Sequence, residues 1–365
     1  MFDKREIKDG MSIEEVEDIL EILGAHSYRE SDEKLIIETI CHNHPGEGSH
    51  KLYYYTNTKL FNCFTNCGSF DIFELISKAR EHWGEELTLD DAVRWVVDRR
   101  GFMFFDGELT KKEEIDETPK EYVKPTLHTY DRQMFDKLNP VLVRDWLEEG
   151  ISKETHEFYE IKYNPIDGAV LFPHYNEHGG LVGIRQRNLA EDVIARFGKY
   201  RPATLRGTLY TSPLSFYLFG VHKNKWAIRR TKRVIVFEGE KSVMKLDDMG
   251  GRYHNNSVAS FGINFSMHHF KILQNLGVEE IVFAFDRQYK EPNRDDKEYV
   301  SLAKRLERIH GKYASEDMTI SFMMDTGNVL DYKDSPVDKG LEVYESLFKN
   351  RFTLEVKNEV QIIGE

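Results

Sequence analysis

The stretch VIVFEGEKSVMKL, Val234 to Leu246, decides how the second half of the chain is read. A run of β-branched and aromatic residues ends on Glu238-Gly239-Glu240 and passes directly into a helical pattern, so a buried strand hands its chain to a helix across a short turn. An acid at the end of such a strand has to be solvated, paired or bound to a cation. Around it the same alternation recurs: RVIVFE, KSVMKLDDM, SVASFG, SMHHFKILQNLG, EEIVFAFD, YVSLAKRLERIHG and MTISFMMD follow as strand, helix, strand, helix, strand, helix, strand. That order predicts an α/β unit with a mostly parallel, Rossmann-like sheet and helices on its faces.

Upstream, PVLVRDWLEEG and ISKETHEFYE predict two short helices, and GAVLFPHYNEHGGLVGIRQRNL predicts a hairpin of two apolar runs joined by a polar, glycine-rich turn. Before these, DGELTKKEEIDETPKEYVK is charged, lacks a hydrophobic period and contains proline, which predicts a linker. At the start of the chain, Ser12 with Glu15 forms a capping-box pattern ahead of Val16, Ile19, Leu20 and Leu23, and Gly24 stops that helix. The strands EKLIIETI and KLYYYTNTKLFNCF follow, then the helices DIFELISKAREHW and TLDDAVRWVVDRR, the latter capped by Thr88 with Asp91. The first hundred or so residues therefore read as a small α+β module.

With 365 residues, 40% hydrophobic and 12% aromatic, the chain has material for two or three cores and is not disordered. The formal net charge of -13 argues by itself against a polyanionic partner, but the cations are clustered while the acids are spread. No apolar run is long enough to cross a membrane and the start MFDKREIKDG is no signal peptide, so a soluble, cytoplasmic protein without a membrane partner is expected. Three cysteines fit a reducing compartment.

All three cysteines fall in two close pairs, Cys41-x2-His44 and Cys63-x3-Cys67, flanking a predicted β-hairpin. Two ligand pairs on turns supply the tetrahedron that Zn2+ prefers, and four protein ligands close the site, which makes the zinc structural. His42 is a substitute for His44 in that set, but the two-residue gap favours His44. The hairpin carries Tyr53 and Tyr55 among lysines, where they either stack on bases of a single strand or cover the ribbon's own core.

Glu238, Asp286 at the end of IVFAFD and Asp334 in VLDYKDSP are expected to converge at the carboxyl edge of the parallel sheet, where open α/β sheets bind ligands. Gathered carboxylates repel unless a hard cation joins them, which points to Mg2+ or Mn2+ and metal-assisted phosphate chemistry. Arg185, Arg187, Arg196, Lys199, Arg201 and Arg206 fall in one basic window, and Lys223, Lys225, Arg229, Arg230, Lys232 and Arg233 in another, suggesting a local groove for a polyanion.

The order CxxH…CxxxC ribbon, charged linker, FPHYNEHGGLVGIRQR, VIVFEGEKS, AFDRQ and LDYKDSP resembles the bacterial DnaG-type DNA primases, in the short form found in phages and mobile elements, over roughly residues 12 to 345. The resemblance implies a zinc-ribbon DNA-binding domain (1–105), a charged linker (106–126) and an RNA polymerase domain with a basic half (127–230) and a TOPRIM half (231–340), then a short extension (341–365). It implies that Glu238, Asp286 and Asp334 hold the catalytic metal, that Arg185, Arg187 and Lys199 contact template and nucleotide with Arg201 beside them, and that Lys241 contacts phosphate. Where the family has Asp-x-Asp this chain has Asp286-Arg287-Gln288, so Gln288 is a neutral ligand at best. The second cysteine pair is one residue wider than the family's, and with only about twenty-five residues after Gly340 the family's C-terminal helicase-binding domain is expected to be absent, so meeting a replicative helicase or replisome protein would need another surface or another protein.

The expected function is a primase that makes short RNA primers from NTPs on a single-stranded DNA template. The alternatives are a catalytically weak single-stranded-DNA-binding relative, motivated by Gln288, and another TOPRIM nuclease or topoisomerase, against which the zinc ribbon and FPHYNEHGGLVGIRQR count.

Overall fold

The computed structural model describes residues 4–25, 27–31, 33–82, 84–99, 102–105, 108–111, 128–211, 214–293 and 295–354. The chain divides into two units: residues 1–128 with 212–216 and 266–268, and residues 129–211 with 217–265 and 269–365.

The first unit opens with α1 (Lys4–Asp9) and α2 (Ile13–Ile22). The Ser12 hydroxyl accepts from Glu15 N at 3.1 Å and the Glu15 carboxylate accepts from Ser12 N at 2.8 Å, so the capping box forms as expected. A five-stranded antiparallel meander follows, with β1 (Ser27–Ser31), β2 (Lys34–Ile37), β3 (Leu52–Tyr55), β4 (Leu60–Cys63) and β5 (Gly68–Phe70) in sequence order. Its apolar face packs with α2, α3 (Ile72–Glu81) and α4 (Leu89–Arg99) around Leu20, Leu35, Ile37, Tyr54, Phe61, Phe73 and Val96. Period-two alternation sets which tyrosine goes inside: Tyr54 is buried, whereas Tyr53 and Tyr55 stay half-exposed on the other face. Within the expected linker, β7 (Glu108–Lys111) pairs with β6 (Phe102–Phe105); residues 106–107 and 112–126 lie outside the described residues.

The second unit begins with α5 (Gln133–Asp136), α6 (Arg144–Glu148) and α7 (Lys153–Phe158). It contains an antiparallel sheet of β8 (Lys162–Asn164), β9 (Ala169–Tyr175), β10 (Leu181–Asn188), β11 (Tyr200–Leu205) and β12 (Thr208–Tyr210), with α8 (Glu191–Phe197) between β10 and β11. The expected hairpin is β9 with β10. Helix α9 (Val221–Thr231) leads into the second sheet, β13 (Arg233–Phe237), β14 (Ser257–Ala259), β15 (Glu280–Phe283), β16 (Thr319–Phe322) and β17 (Phe352–Thr353), interleaved with α10 (Glu240–Gly250), α11 (Met267–Asn275), α12 (Lys297–Tyr313) and α13 (Leu341–Lys349). The strand order is β14-β13-β15-β16-β17, parallel except for the last pair. The hydrophobic run of β13 is therefore a central strand covered on both faces, which is why Val234, Ile235, Val236 and Phe237 are all buried. The chain is an α+β domain followed by an α/β domain, as expected, and among the described residues no helix is long and apolar enough to cross a membrane.

Candidate metal centre and acidic site

In the first unit, Cys41 after β2, Cys63 at the end of β4 and Cys67 before β5 bring their thiols together because β3 and β4 pair in register, Leu52 opposite Cys63. The histidine that completes the group is His42, not the expected His44. His42 Nδ1 lies 3.2 Å from Cys41 Sγ, 3.7 Å from Cys63 Sγ and 3.3 Å from Cys67 Sγ, and the four ligand atoms fall within 4.8 Å of one another. Two local features explain the exchange. Buried Thr39 ties the turn together, its hydroxyl accepting from Asn43 Nδ2 at 2.9 Å and Ser49 N at 3.0 Å. His44 precedes Pro45, which keeps it from continuing the turn, and its ring lies 5.5 Å from that of His82 instead.

The donor set fits zinc. Burial and the neighbouring sulfurs of Cys63 and Cys67 push the Cys41 thiol far up, so its thiolate is costly there unless a cation joins the group. For Cys63 burial acts in the same upward direction but is outweighed by the Thr65 hydroxyl and the backbone N–H groups of Cys67, Asn66 and Thr65, which bring it down to about 6. A turn whose N–H groups aim at one sulfur favours the thiolate that a metal requires. On the surface beside the cluster, Phe64 is 57% exposed and stands edge-on to Tyr53 at 4.9 Å, with Lys34 Nζ 5.0 Å over the Tyr53 ring.

In the second unit, Glu238 leaves the carboxyl end of β13 and Asp286 follows β15. Glu238 Oε1 accepts from Asp286 N at 3.1 Å and from Gln288 Nε2 at 2.8 Å. Burial, then the charge of Asp286, raises the Glu238 pKa; burial, then Asp338 and Asp334, raises that of Asp286. Asp286 Oδ1 is buried without a hydrogen-bond partner. Two carboxyl groups that resist ionisation, one with an orphaned oxygen, fit the edge of a hard-cation site. Among the described residues only the Cys/His group gathers three or more such ligand atoms within 4.8 Å of one another, so Glu238, Asp286 and Asp334 do not form a three-ligand cluster of that kind.

Asp334 accepts from Asp331 N at 2.9 Å and faces Lys339 Nζ at 3.3 Å, while its carbonyl accepts from Arg287 N at 2.8 Å. Lys199 senses Asp286 and Glu149 as well as Arg187 and Lys241; burial and the two cations lower its pKa. Arg187 lies 5.3 Å over the Trp146 ring. Arg185 is committed to buried Glu240 at 2.9 Å and sits 4.3 Å over Tyr200. Lys241 pairs with Glu149, and Arg201 with Asp167 at 3.1 Å.

Sequence reasoning missed four of these contributors. Asp338 acts on Asp286 and pairs with Lys245 at 2.6 Å, and it stands four residues past Asp334 in a segment with no periodic signal. Glu240 was visible in EGE but not its buried partners. Arg287 was passed over as the spacer between Asp286 and Gln288, yet its guanidinium is buried and bonded to Asp325, Asn328 and the carbonyls of Tyr289, Lys290 and Leu330. Phe64 was hidden inside the cysteine pair.

No family model matches the chain. The chain is 32% identical over 373 residues, 97% of its length and 98% of the other, to a Bacillus subtilis (strain 168) protein described as "SPbeta prophage-derived uncharacterized protein YorJ". A DNA primase of Chlamydia pneumoniae is 29% identical over 142 residues, 38% of this chain and 23% of that one. A DNA primase of Chlamydia muridarum (strain MoPn / Nigg) is 30% identical over 151 residues, 40% and 24% of the two chains. Among solved structures, the zinc-binding and RNA polymerase domains of the Aquifex aeolicus primase superpose with a TM-score of 0.46 at 15% identity, covering 96% of this chain and 85% of that one.

Proposed function

This chain belongs to the family of the SPbeta prophage-derived protein YorJ, and from that premise we propose that it is a DNA primase, a nucleotidyltransferase that assembles short RNA primers on single-stranded DNA in the cytoplasm. The observation that carries the reading is the half-buried pair Glu238 and Asp286 at the carboxyl edge of the parallel sheet: burial and the charge of Asp286 destabilise the anionic form of Glu238, and burial and the charges of Asp338 and Asp334 destabilise that of Asp286. Such a pair is stabilised by a divalent cation rather than by solvent.

Glu238 and Asp286 would hold Mg2+ or Mn2+, with Asp334 and Asp338 adding negative charge behind them. When bound, the ion polarises the reacting phosphate and neutralises charge on the leaving pyrophosphate. Lys199 and Arg187 orient the triphosphate and the template backbone, and Lys199's proximity to Asp286 puts a cation where phosphate charge has to be held. Lys241 and Arg201 are phosphate contacts that must exchange their present carboxylate partners, whereas Arg185 acts through Glu240 to fix β10 against α10. Gln288 donates to Glu238 and keeps that carboxyl oriented. Zinc on Cys41, His42, Cys63 and Cys67 holds the turns that display Tyr53, Tyr55 and Phe64, the aromatic face offered to template bases. A helicase or other replisome protein would bring the enzyme to its template.

The experiment is primer synthesis by the purified protein on single-stranded DNA with labelled NTPs and Mg2+ or Mn2+, with Glu238→Ala as control. Short products that disappear in the variant are expected. A second reading, a non-catalytic binder of single-stranded DNA, is motivated by the amide of Gln288 where a carboxylate is expected; retained DNA binding with no product in either metal would replace the first reading by the second.

A further inference from the structure

Helix α9 and the 3-10 turn Arg252–His254 carry the most exposed pair of large aromatic residues in the second unit's described surface that stands beside arginine. Trp226 is 70% exposed and Tyr253 83%. Rings of that size left in water cost apolar hydration unless something covers them part of the time. Arg229 lies 5.5 Å over the Trp226 ring, and Arg230 Nη2 donates to the Tyr253 carbonyl at 2.7 Å, which fastens the turn to the helix one turn from Trp226.

The segments that carry these rings are basic, and the acids near them are already paired, Asp247 with Arg252 at 3.2 Å among them. Residues 221–233 contain Lys223, Lys225, Arg229, Arg230, Lys232 and Arg233 and no acid, and residues 251–257 contain none either, in a chain of net charge -13. Lys223, Lys232 and Arg233 are neutralised by Glu160, Glu279 and Glu280. Among the described residues no carboxylate pairs with Arg229 or Arg230, and Lys225 meets only the Glu177 carbonyl at 3.3 Å.

The patch is also far from the acidic site. Helix α9 ends at the start of β13 and the 3-10 turn precedes the start of β14, so both lie toward the amino edge of a parallel sheet whose carboxyl edge carries Glu238 and Asp286. A strand of this length separates the two edges by roughly 15 Å.

From exposed rings interleaved with unpaired cations, we infer that Trp226, Tyr253, Arg229 and Arg230 form a second contact surface for single-stranded nucleic acid, remote from the catalytic edge. Trp226 and Tyr253 stack on bases and the arginines hold the phosphates on either side, so the surface tethers template without reading its sequence. The inference rests on the nucleic-acid reading of the chain but not on its catalysis.

The test is equilibrium binding of a labelled oligothymidylate to the full chain, followed by anisotropy across a salt series. Trp226→Ala with Tyr253→Ala should weaken binding about thirtyfold or more, and Trp226→Phe with Tyr253→Phe should restore most of it, because stacking needs a ring and not the indole or hydroxyl. Arg229→Ala with Arg230→Ala should reduce the slope of log affinity against log salt by about 1.4. All four side chains are exposed, so the variants should keep the wild-type circular dichroism. Unchanged affinity and slope would overturn the inference and leave the patch to a protein partner, and absence of any DNA binding by the wild type would overturn it as well. The expected losses in a protein that makes no primers would leave this surface standing while the catalytic reading falls; primer synthesis with unchanged binding in the variants would do the reverse.

Discussion

Replacing Glu240 by glutamine perturbs one carboxylate and leaves its shape in place. Glu240 is 1% exposed, with Arg185 Nη1 2.9 Å and His174 Nε2 3.3 Å from the same oxygen. Burial by itself would raise its pKa; the charge of Arg185, followed by contact with His174, outweighs burial and holds the carboxyl at about 2, from an ordinary 4.5. His174 is kept neutral by its own burial, so Arg185 is the countercharge. At about 1.4 kcal/mol per pKa unit, a depression of this size corresponds to about 3 kcal/mol contributed by the ionised form. The known cost of stranding one partner of a buried ion pair, about 3–5 kcal/mol, agrees. Glu240→Gln should therefore lower the unfolding temperature by roughly 6–12 °C at neutral pH. Because the folded pKa lies below the unfolded one, the contribution is present above pH 4.5 and is lost as pH falls toward about 2. Thermal unfolding followed by circular dichroism at several pH values reads both effects: the variant should start lower and should lose less between those limits. A variant with the wild-type midpoint and the wild-type acid slope would refute the claim that Arg185 is pinned by Glu240, and would return Arg185 to the set of residues free to bind template.

The histidine exchange at the metal centre is checked by zinc competition with a chromophoric chelator: His42→Ala should weaken zinc by more than the roughly 10–100-fold an outer-sphere partner is worth, while His44→Ala should bind as wild type. Equal loss in both variants would restore His44 to the ligand set. Gln288→Asp adds a carboxylate to a pair already resisting ionisation, so the metal-free protein should lose about 1–2 kcal/mol and its melting temperature should respond more strongly to Mg2+ than the wild type does. An identical Mg2+ response in both proteins would mean that position 288 does not face the cation.

Much of the fold was legible because its signals are local. The Ser12–Glu15 capping box and the reciprocal Thr88–Asp91 bonds depend on residues three apart, and both form. The strand-helix alternation from Arg233 onward survives folding because each strand is covered on both faces and each helix on one. Long-range pairings were not legible. The partner of Glu240 lies 55 residues upstream and one carboxylate partner of Arg287 lies 38 residues downstream, and nothing in either local sequence names it. His42 and His44 differ only in which way a turn points them, and that is settled by Thr39, Asn43 and Pro45 rather than by spacing.

The register of the parallel sheet explains why the acidic site has the membership it has. Phe283 of β15 stands opposite Val236 of β13 and Phe322 of β16, so Asp286 and Asp325, each three residues beyond those positions, leave the sheet at one level. Asp325 is thus the acid that register alone would place beside Asp286. It is removed from that role by Arg287 at 3.3 Å and by the backbone N–H groups of Gly327, Val329 and Leu330. Past the end of β15, Asp286 N and Gln288 Nε2 both bond Glu238, while the guanidinium of Arg287 bonds Asp325 and Asn328 instead. The same guanidinium that consumes Asp325 bonds Asn328 and the Leu330 carbonyl, and its own backbone N–H bonds the Asp334 carbonyl. One arginine therefore consumes Asp325 and ties down the loop that carries Asp334. An acid at 288 would place a third negative charge beside Glu238 and Asp286, whereas the amide donates a hydrogen bond to Glu238 and adds none.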